Sequence, residues 1–175
     1  DEIGMDYVRD LVSKEGAYAR TGSRTPMQWD TSANVGFSTA PKDKLYLPVT
    51  SRKKSATVAG QEKDPDSLLN FIRALAALRQ STPALQADGA FTPVYAPPRR
   101  YPFAYLRTLG TDTILVALNP SARAVSVPLD LPVSAVAIEP LLPTAVTLTR
   151  NGRRARLKMP AVSYGLFRLR ASLTP

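Results

Sequence analysis

Two arginines four residues apart, Arg20 and Arg24, mark the segment of this 175-residue chain best equipped for chemistry. They are followed by Thr25-Pro26, a step that cannot continue a helix, and by Trp29, the only tryptophan. These residues describe a shaped loop that presents guanidinium groups; they equally fit a surface loop pinned by one buried indole. The chain has no cysteine and no histidine. That excludes disulfides, thiolate or imidazole metal sites, a cysteine nucleophile and a Ser-His-Asp triad. Catalysis by this chain alone would fall to carboxylates, Lys or Tyr. Nothing in the sequence calls for a cofactor or a metal.

The elements that must position this loop differ sharply between the two halves of the chain. Residues 1–63 show little periodicity and are punctuated by Gly16, Gly22, Pro26, Gly36, Pro41 and Pro48, which predicts a long irregular region. Tyr18, Trp29, Phe37, Leu45, Tyr46 and Leu47 make it too apolar for disorder. An ordered loop draped over another body fits better, because so long a structureless segment is unusual in an independent domain. Residues 64–82 read as one long helix. Asp64-Pro65-Asp66-Ser67 offers an acidic cap, a proline suited to the first turn and negative charge at the positive end of the dipole. Leu68, Leu69, Ile72, Leu75 and Ala76 recur at helical spacing, with Asn70, Arg73, Ala77 and Gln80 on the opposite face. So wide an apolar stripe must lie against a larger body.

From residue 89 onward the pattern changes to short alternating runs at 91–95, 102–108, 113–118, 124–128, 135–138, 145–149, 154–159 and 164–170, separated by turn residues. Evenly spaced short strands predict an antiparallel β-sandwich, and Asn151-Gly152 predicts a type I′ hairpin. The fold expected is therefore mainly β with one long helix, divided near Gly89 into residues 1–88 and 89–175. The net charge of +9 is concentrated in the second part, where eleven Lys/Arg face only Asp112, Asp130 and Glu139, leaving +8. These cations stand singly within alternating strands, as in Arg153-Arg-Ala-Arg-Leu-Lys158, which suits a solvated sheet face better than a nucleic-acid or anionic-membrane surface. No run of about 18 apolar residues exists for a membrane span.

The order of motifs resembles a known layout. Arg20-Thr-Gly-Ser-Arg24-Thr25-Pro26-Met27-Gln28-Trp29-Asp30, followed by Asn34-Val-Gly-Phe-Ser38, is similar to a signature of alpha-glucosidases and oligo-1,6-glucosidases in the alpha-amylase superfamily. Asp1-Glu2-Ile3-Gly4-Met5 resembles the segment after the eighth strand of their (β/α)₈ barrel, and Gln61 with residues 64–79 resembles the approach to and body of the last barrel helix. Residues 89–170 resemble the C-terminal β-domain.

That resemblance implies a retaining glycoside hydrolase acting on α-glucosides or maltooligosaccharides. In such enzymes an Asp nucleophile, a Glu acid/base and a third Asp stand on earlier barrel strands. None maps onto this sequence, so the expectation is a C-terminal segment that lacks the catalytic barrel and is inactive alone. Its start at Asp1, without an initiator Met, agrees. By the same resemblance Arg20 matches the arginine that reaches the innermost glucose, Arg24 matches a second arginine that holds the loop, and Glu2 is a partner for Arg20. Thr21 stands where many relatives carry Asp. Trp29 is expected as a core anchor. Nucleic-acid and membrane partners are not implied, and the lack of cysteine fits a cytoplasmic compartment. The alternative is a non-catalytic carbohydrate-binding or interaction β-module. Its candidate aromatics are Tyr95, Tyr101, Phe103 and Tyr105, three of which share one strand face as core residues do.

Overall fold

The computed structural model describes residues 25–47, 49, 56–131, 135–151 and 154–171. It divides into two compact units, Asp1–Ala74 and Leu75–Pro175. In the first, residues 25–47 form an irregular loop and the first helix, α1, spans Val58–Lys63. The second helix, α2, spans Leu68–Ser81 and carries the chain into the second unit. There eight strands follow: β1 Ala90–Tyr95, β2 Phe103–Leu109, β3 Asp112–Asn119, β4 Val125–Asp130, β5 Ala135–Pro140, β6 Thr147–Asn151, β7 Arg154–Met159 and β8 Ser163–Ala171.

All eight expected strands are present, each within two residues of its expected limits. They form a five-stranded sheet in the order β1-β2-β3-β8-β5 and a three-stranded sheet in the order β4-β7-β6, and every pair is antiparallel. The alternation seen in the sequence sets which face is inside. In β7, Ala155, Leu157 and Met159 are buried while Arg154, Arg156 and Lys158 are exposed, so the basic run is a solvated sheet face. Ala104, Leu106, Leu115, Ala117, Phe167 and Leu169 from one sheet meet Val127, Leu129, Leu157 and Met159 from the other in one core. Pro93 sits at the bulge of edge strand β1, where its missing N–H costs no ladder bond. At the β3–β4 turn the buried Asn119 is fully satisfied. Its Nδ2 donates to the carbonyls of Arg123 and Pro160 at 2.9 and 2.6 Å, and its Oδ1 accepts from the Ser121 hydroxyl at 2.7 Å.

Two expectations are corrected and one is refined. The hairpin register pairs Asn151 with Arg154, so Asn151 belongs to the strand rather than to the turn; residues 152 and 153 lie outside the described set. The face shared by Phe103 and Tyr105 is not the one between the two sheets, which takes Ala104 and Leu106; both are half-buried on the opposite side, where Tyr105 packs against a second apolar cluster. Phe91 joins them there, with ring centroids 4.8 Å from Tyr105 and 6.4 Å from Phe103, and Tyr101 is exposed. The long helix starts at Leu68 and not in the Asp64-Pro65-Asp66 stretch, which makes a turn instead. Asp64 Oδ1 accepts from the Asp66 N–H at 3.0 Å, and Ser67 is the residue that caps the helix, its Oγ accepting from the Asn70 N–H at 3.3 Å.

The central strand β3 is buried on both faces from Thr113 to Ala117. On the outer side a second cluster covers it: Ala84, Ile114, Val116 and Leu166 are buried, with Leu78 of α2 and Leu85 packed against them. Polar contacts hold the connection after α2 in place. The Arg107 guanidinium donates to the carbonyls of Ala84, at 3.2 Å, and Gln86. Asp112 accepts from the Ala84 N–H at 3.5 Å and from Arg168 at 3.0 Å. Gly89 leaves room for this arrangement: a Cβ there would lie 2.1 Å from the Ala84 oxygen and 3.0 Å from Arg107 Nη2. Gly89→Ala is therefore expected to destabilise the second unit by about 1–3 kcal/mol, since a backbone atom must move to admit the methyl group. Urea denaturation, read as a lower midpoint at unchanged slope, checks this.

Candidate functional site

Arg20 and Arg24, the candidate substrate-binding arginines, and Glu2, the candidate partner of Arg20, lie outside the described residues. The structure does describe the segment directly after Arg24, and it is braced by short-range hydrogen bonds. The Trp29 and Asp30 N–H groups both donate to the Val35 carbonyl, at 2.8 and 3.2 Å, and the Val35 N–H donates to the Ser32 carbonyl at 3.0 Å. Asn34 and Val35 adopt left-handed conformations, with φ of 50° and 53°, ahead of Gly36 at 71°. Left-handed backbone is unfavourable for a β-branched residue. It persists at Val35 because the N–H and the carbonyl are both bonded, and because the Asn34 side chain donates to the Ser38 and Ala40 carbonyls at 3.0 and 2.7 Å.

Gly36 is required for a second reason. The Asp30 carboxylate lies over it, within 2.7 Å of where a Cβ would stand. That carboxylate accepts from the Ser32 N–H at 2.8 Å and from the Ser32 hydroxyl, and these bonds hold Asp30 below the ordinary carboxylate range. The contribution is complete above the ordinary carboxylate pKa and is lost as pH falls through the lowered value.

Trp29 departs from expectation. The residue is 48% exposed, and within the described residues the loop is held by main-chain bonds. Met27, Phe37 and Tyr46 are exposed as well, and Pro26, Met27, Phe37, Leu45 and Leu47 line a shallow, mostly apolar hollow of about 210 Å³. A second apolar surface lies along α2, which buries none of its residues; Leu68 and Ile72 are 68% and 52% exposed. Of the apolar stripe read from the sequence, Leu68, Ile72 and Ala76 are exposed and Leu69 and Leu75 are half-buried.

The structure also adds residues that the sequence reading passed over. The irregular region contains α1, whose Val58 and Ala59 N–H groups donate to the carbonyls of Gln28 and Trp29 at 3.0 and 2.9 Å. Asn70, assigned above to the polar face of the helix, donates from Nδ2 to the carbonyls of Gln61 and Asp64 at 3.0 and 2.8 Å. The one sequence signal for α1 was Thr57, whose Oγ1 accepts from the Gly60 N–H at 3.1 Å as an N-cap does. Among the described residues no group of three or more carboxylates is placed to hold a metal ion, and no helix is long and apolar enough to cross a membrane.

A braced loop, an amphipathic helix with exposed apolar residues and an antiparallel sandwich thus follow one another along the described chain. Residues 1–88 match the alpha amylase catalytic domain family, and the chain belongs to that family. It is 36% identical over 124 residues to an oligo-1,6-glucosidase of Heyndrickxia coagulans, covering 71% of this chain and 21% of that protein. It is 33% identical over 181 residues to a trehalose synthase of Thermus thermophilus, covering 97% of this chain and 17% of that protein. Among solved structures, the trehalulose synthase MutB of Pseudomonas mesoacidophila MX-45 superposes with a TM-score of 0.69 at 28% identity, over 93% of this chain and 28% of that one. Variants of the same synthase have been solved with glucose and with isomaltulose. The chain thus spans about a fifth of the length of the curated relatives it matches.

Proposed function

We propose that this chain is the C-terminal part of a retaining enzyme acting on α-linked glucosides. In this reading residues 1–88 provide the last loop and last helix of a (β/α)₈ barrel, and residues 89–175 form the β-domain that follows. The carboxylates that break the glycosidic bond belong to earlier parts of the same protein. Retention requires two of them about 5–5.5 Å apart, one attacking the anomeric carbon and one first donating and then accepting a proton. The role of this chain is recognition. Arg20 donates from its planar fork to sugar hydroxyls and to a carboxylate together, Glu2 orients it, and Arg24 holds the loop.

The observation that carries this reading is the bracing of residues 25–40, whose left-handed turn and paired carbonyls give the loop one conformation within a segment matched by the catalytic-domain family. A loop that must place a guanidinium against a sugar needs such preorganisation. The uncovered face of α2 supports it as well, since a last barrel helix buries such a face against the barrel.

The test is product analysis by proton NMR with the full-length protein and maltose, isomaltose and trehalose. The expected first product is α-glucose or an isomeric α-linked disaccharide, and the segment 1–175 alone turns over none of the three. β-Glucose as the first product, or turnover by the segment alone, would overturn the reading.

A further inference from the structure

The helix α1 poses a physical question of its own. Six residues are too few for a helix to form unaided in water, because nucleation is costly and each end leaves groups without intrahelical partners. It is present because its neighbours supply those partners. At the N-terminal end the Val58 and Ala59 N–H groups bond to the Gln28 and Trp29 carbonyls of the loop, and Thr57 caps Gly60. At the C-terminal end the Asn70 amide of α2 donates to the carbonyls of Gln61, Glu62 and Asp64 at 3.0, 3.4 and 2.8 Å. The Ser67 hydroxyl adds a bond to the Gln61 carbonyl at 2.7 Å. Gln61 returns the interaction, its Oε1 accepting from the Leu69 N–H at 3.1 Å in the first turn of α2. Arg73 fixes the orientation of the Asn70 amide by donating to its Oδ1 at 3.3 Å, while bridging to Glu62 at 2.9 Å.

We propose that Asn70 and Gln61 form a latch that holds the substrate-binding loop through α1, and that both are positioning residues for the arginines of that loop. The inference rests on the proposed role of the loop in sugar recognition. The causal chain is short. Without the Asn70 donors the carbonyls of Gln61 and Asp64 each lose one bond, keeping those from the Ser67 hydroxyl and from the Asp64 and Ser67 N–H groups. The Glu62 carbonyl loses its bond from Asn70, and a helix that cannot stand alone frays more readily. Its first N–H groups then release the Gln28 and Trp29 carbonyls, which lie four and five residues beyond Arg24. Neither Asn70 nor Gln61 needs to touch a substrate to act in this way.

The experiment uses the full-length protein and three variants. Asn70→Leu removes the amide at similar size, Gln61→Leu removes the acceptor for the Leu69 N–H, and Gln61→Glu keeps that acceptor. Amide hydrogen exchange in residues 25–40 and 58–63 is expected to accelerate about tenfold in Asn70→Leu and Gln61→Leu, the effect of losing one or two hydrogen bonds, and to stay near wild type in Gln61→Glu. In the two accelerated variants kcat/KM for maltose is expected to fall about tenfold, mostly through KM, because the loop then binds both substrate and transition state less well. Faster exchange in α1 with an unchanged loop overturns the latch. Faster loop exchange with unchanged kcat/KM overturns the positioning role. Arg20→Ala measured alongside separates the causes: if it too leaves kcat/KM unchanged, the substrate role of the loop has failed, and if it lowers kcat/KM, only the latch has.

Discussion

Replacing Arg20 by alanine in the full-length protein is expected to lower kcat/KM for a maltose-like substrate by about 2–4 kcal/mol of transition-state stabilisation, roughly 30- to 1000-fold. The size follows from what the side chain would do in a closed site. A guanidinium that donates to sugar hydroxyls and to a carboxylate leaves those groups unpaired when it is removed, and unpaired polar groups away from water cost more than the bonds themselves gain. Arg20→Lys restores the charge but not the planar fork, so only part of the loss is recovered. Arg24→Ala is expected to have a smaller effect on kcat/KM, since its proposed partners are within the loop. Steady-state kinetics on the three variants decides. Equal activity of Arg20→Ala and wild type would remove Arg20 from the site.

The largest expected loss of stability is at Leu157. It is fully buried at the centre of β7, the middle strand of its sheet, opposite Val127 on β4 and Leu148 on β6. Leu157→Ala removes three carbon atoms from a position where strands on both sides prevent collapse, and about 3–4 kcal/mol is expected. That is a large share of the roughly 5–15 kcal/mol that keeps a domain folded. The neighbouring Arg156 provides an internal control, because it points to solvent and its contact is a 3.4 Å hydrogen bond to the Ser126 hydroxyl. Arg156→Ala is expected within about 0.5 kcal/mol of wild type. Chemical denaturation of the pair separates burial from strand position. Similar midpoints for the two variants would mean that the sandwich core is not organised around β7.

How far the sequence reaches is visible in particular residues. The β-domain was legible because strand periodicity is a local property: Ala155, Leu157 and Met159 alternate with Arg154, Arg156 and Lys158, and only one face of such a strand can be buried. The start of α2 was misplaced because Asp64, Asp66 and Ser67 are all competent caps. The choice among them was made by Gln61 and Asn70, nine residues apart, whose side chains bond across the turn. Alternation tells that Phe103 and Tyr105 share a face but not which core that face meets: their smaller neighbours Ala104 and Leu106 fit between the two sheets, and Tyr105 packs against the second cluster on the other side.

The loop that carries Arg20 and Arg24 shows the same division most clearly. By itself the sequence determined the motif, the family it indicates, the absence of histidine and cysteine chemistry, and the amphipathic and alternating patterns that build α2 and the sandwich. These depend on residue type and short spacing alone. The tertiary structure decided that Trp29 stays half-exposed within the described residues, that Val35 takes a left-handed conformation closed by the Trp29 and Asp30 amides, and that a six-residue helix stands between the loop and Asn70. Each of these results from hydrogen bonds between backbone groups or distant side chains, and such bonds leave no period in the sequence.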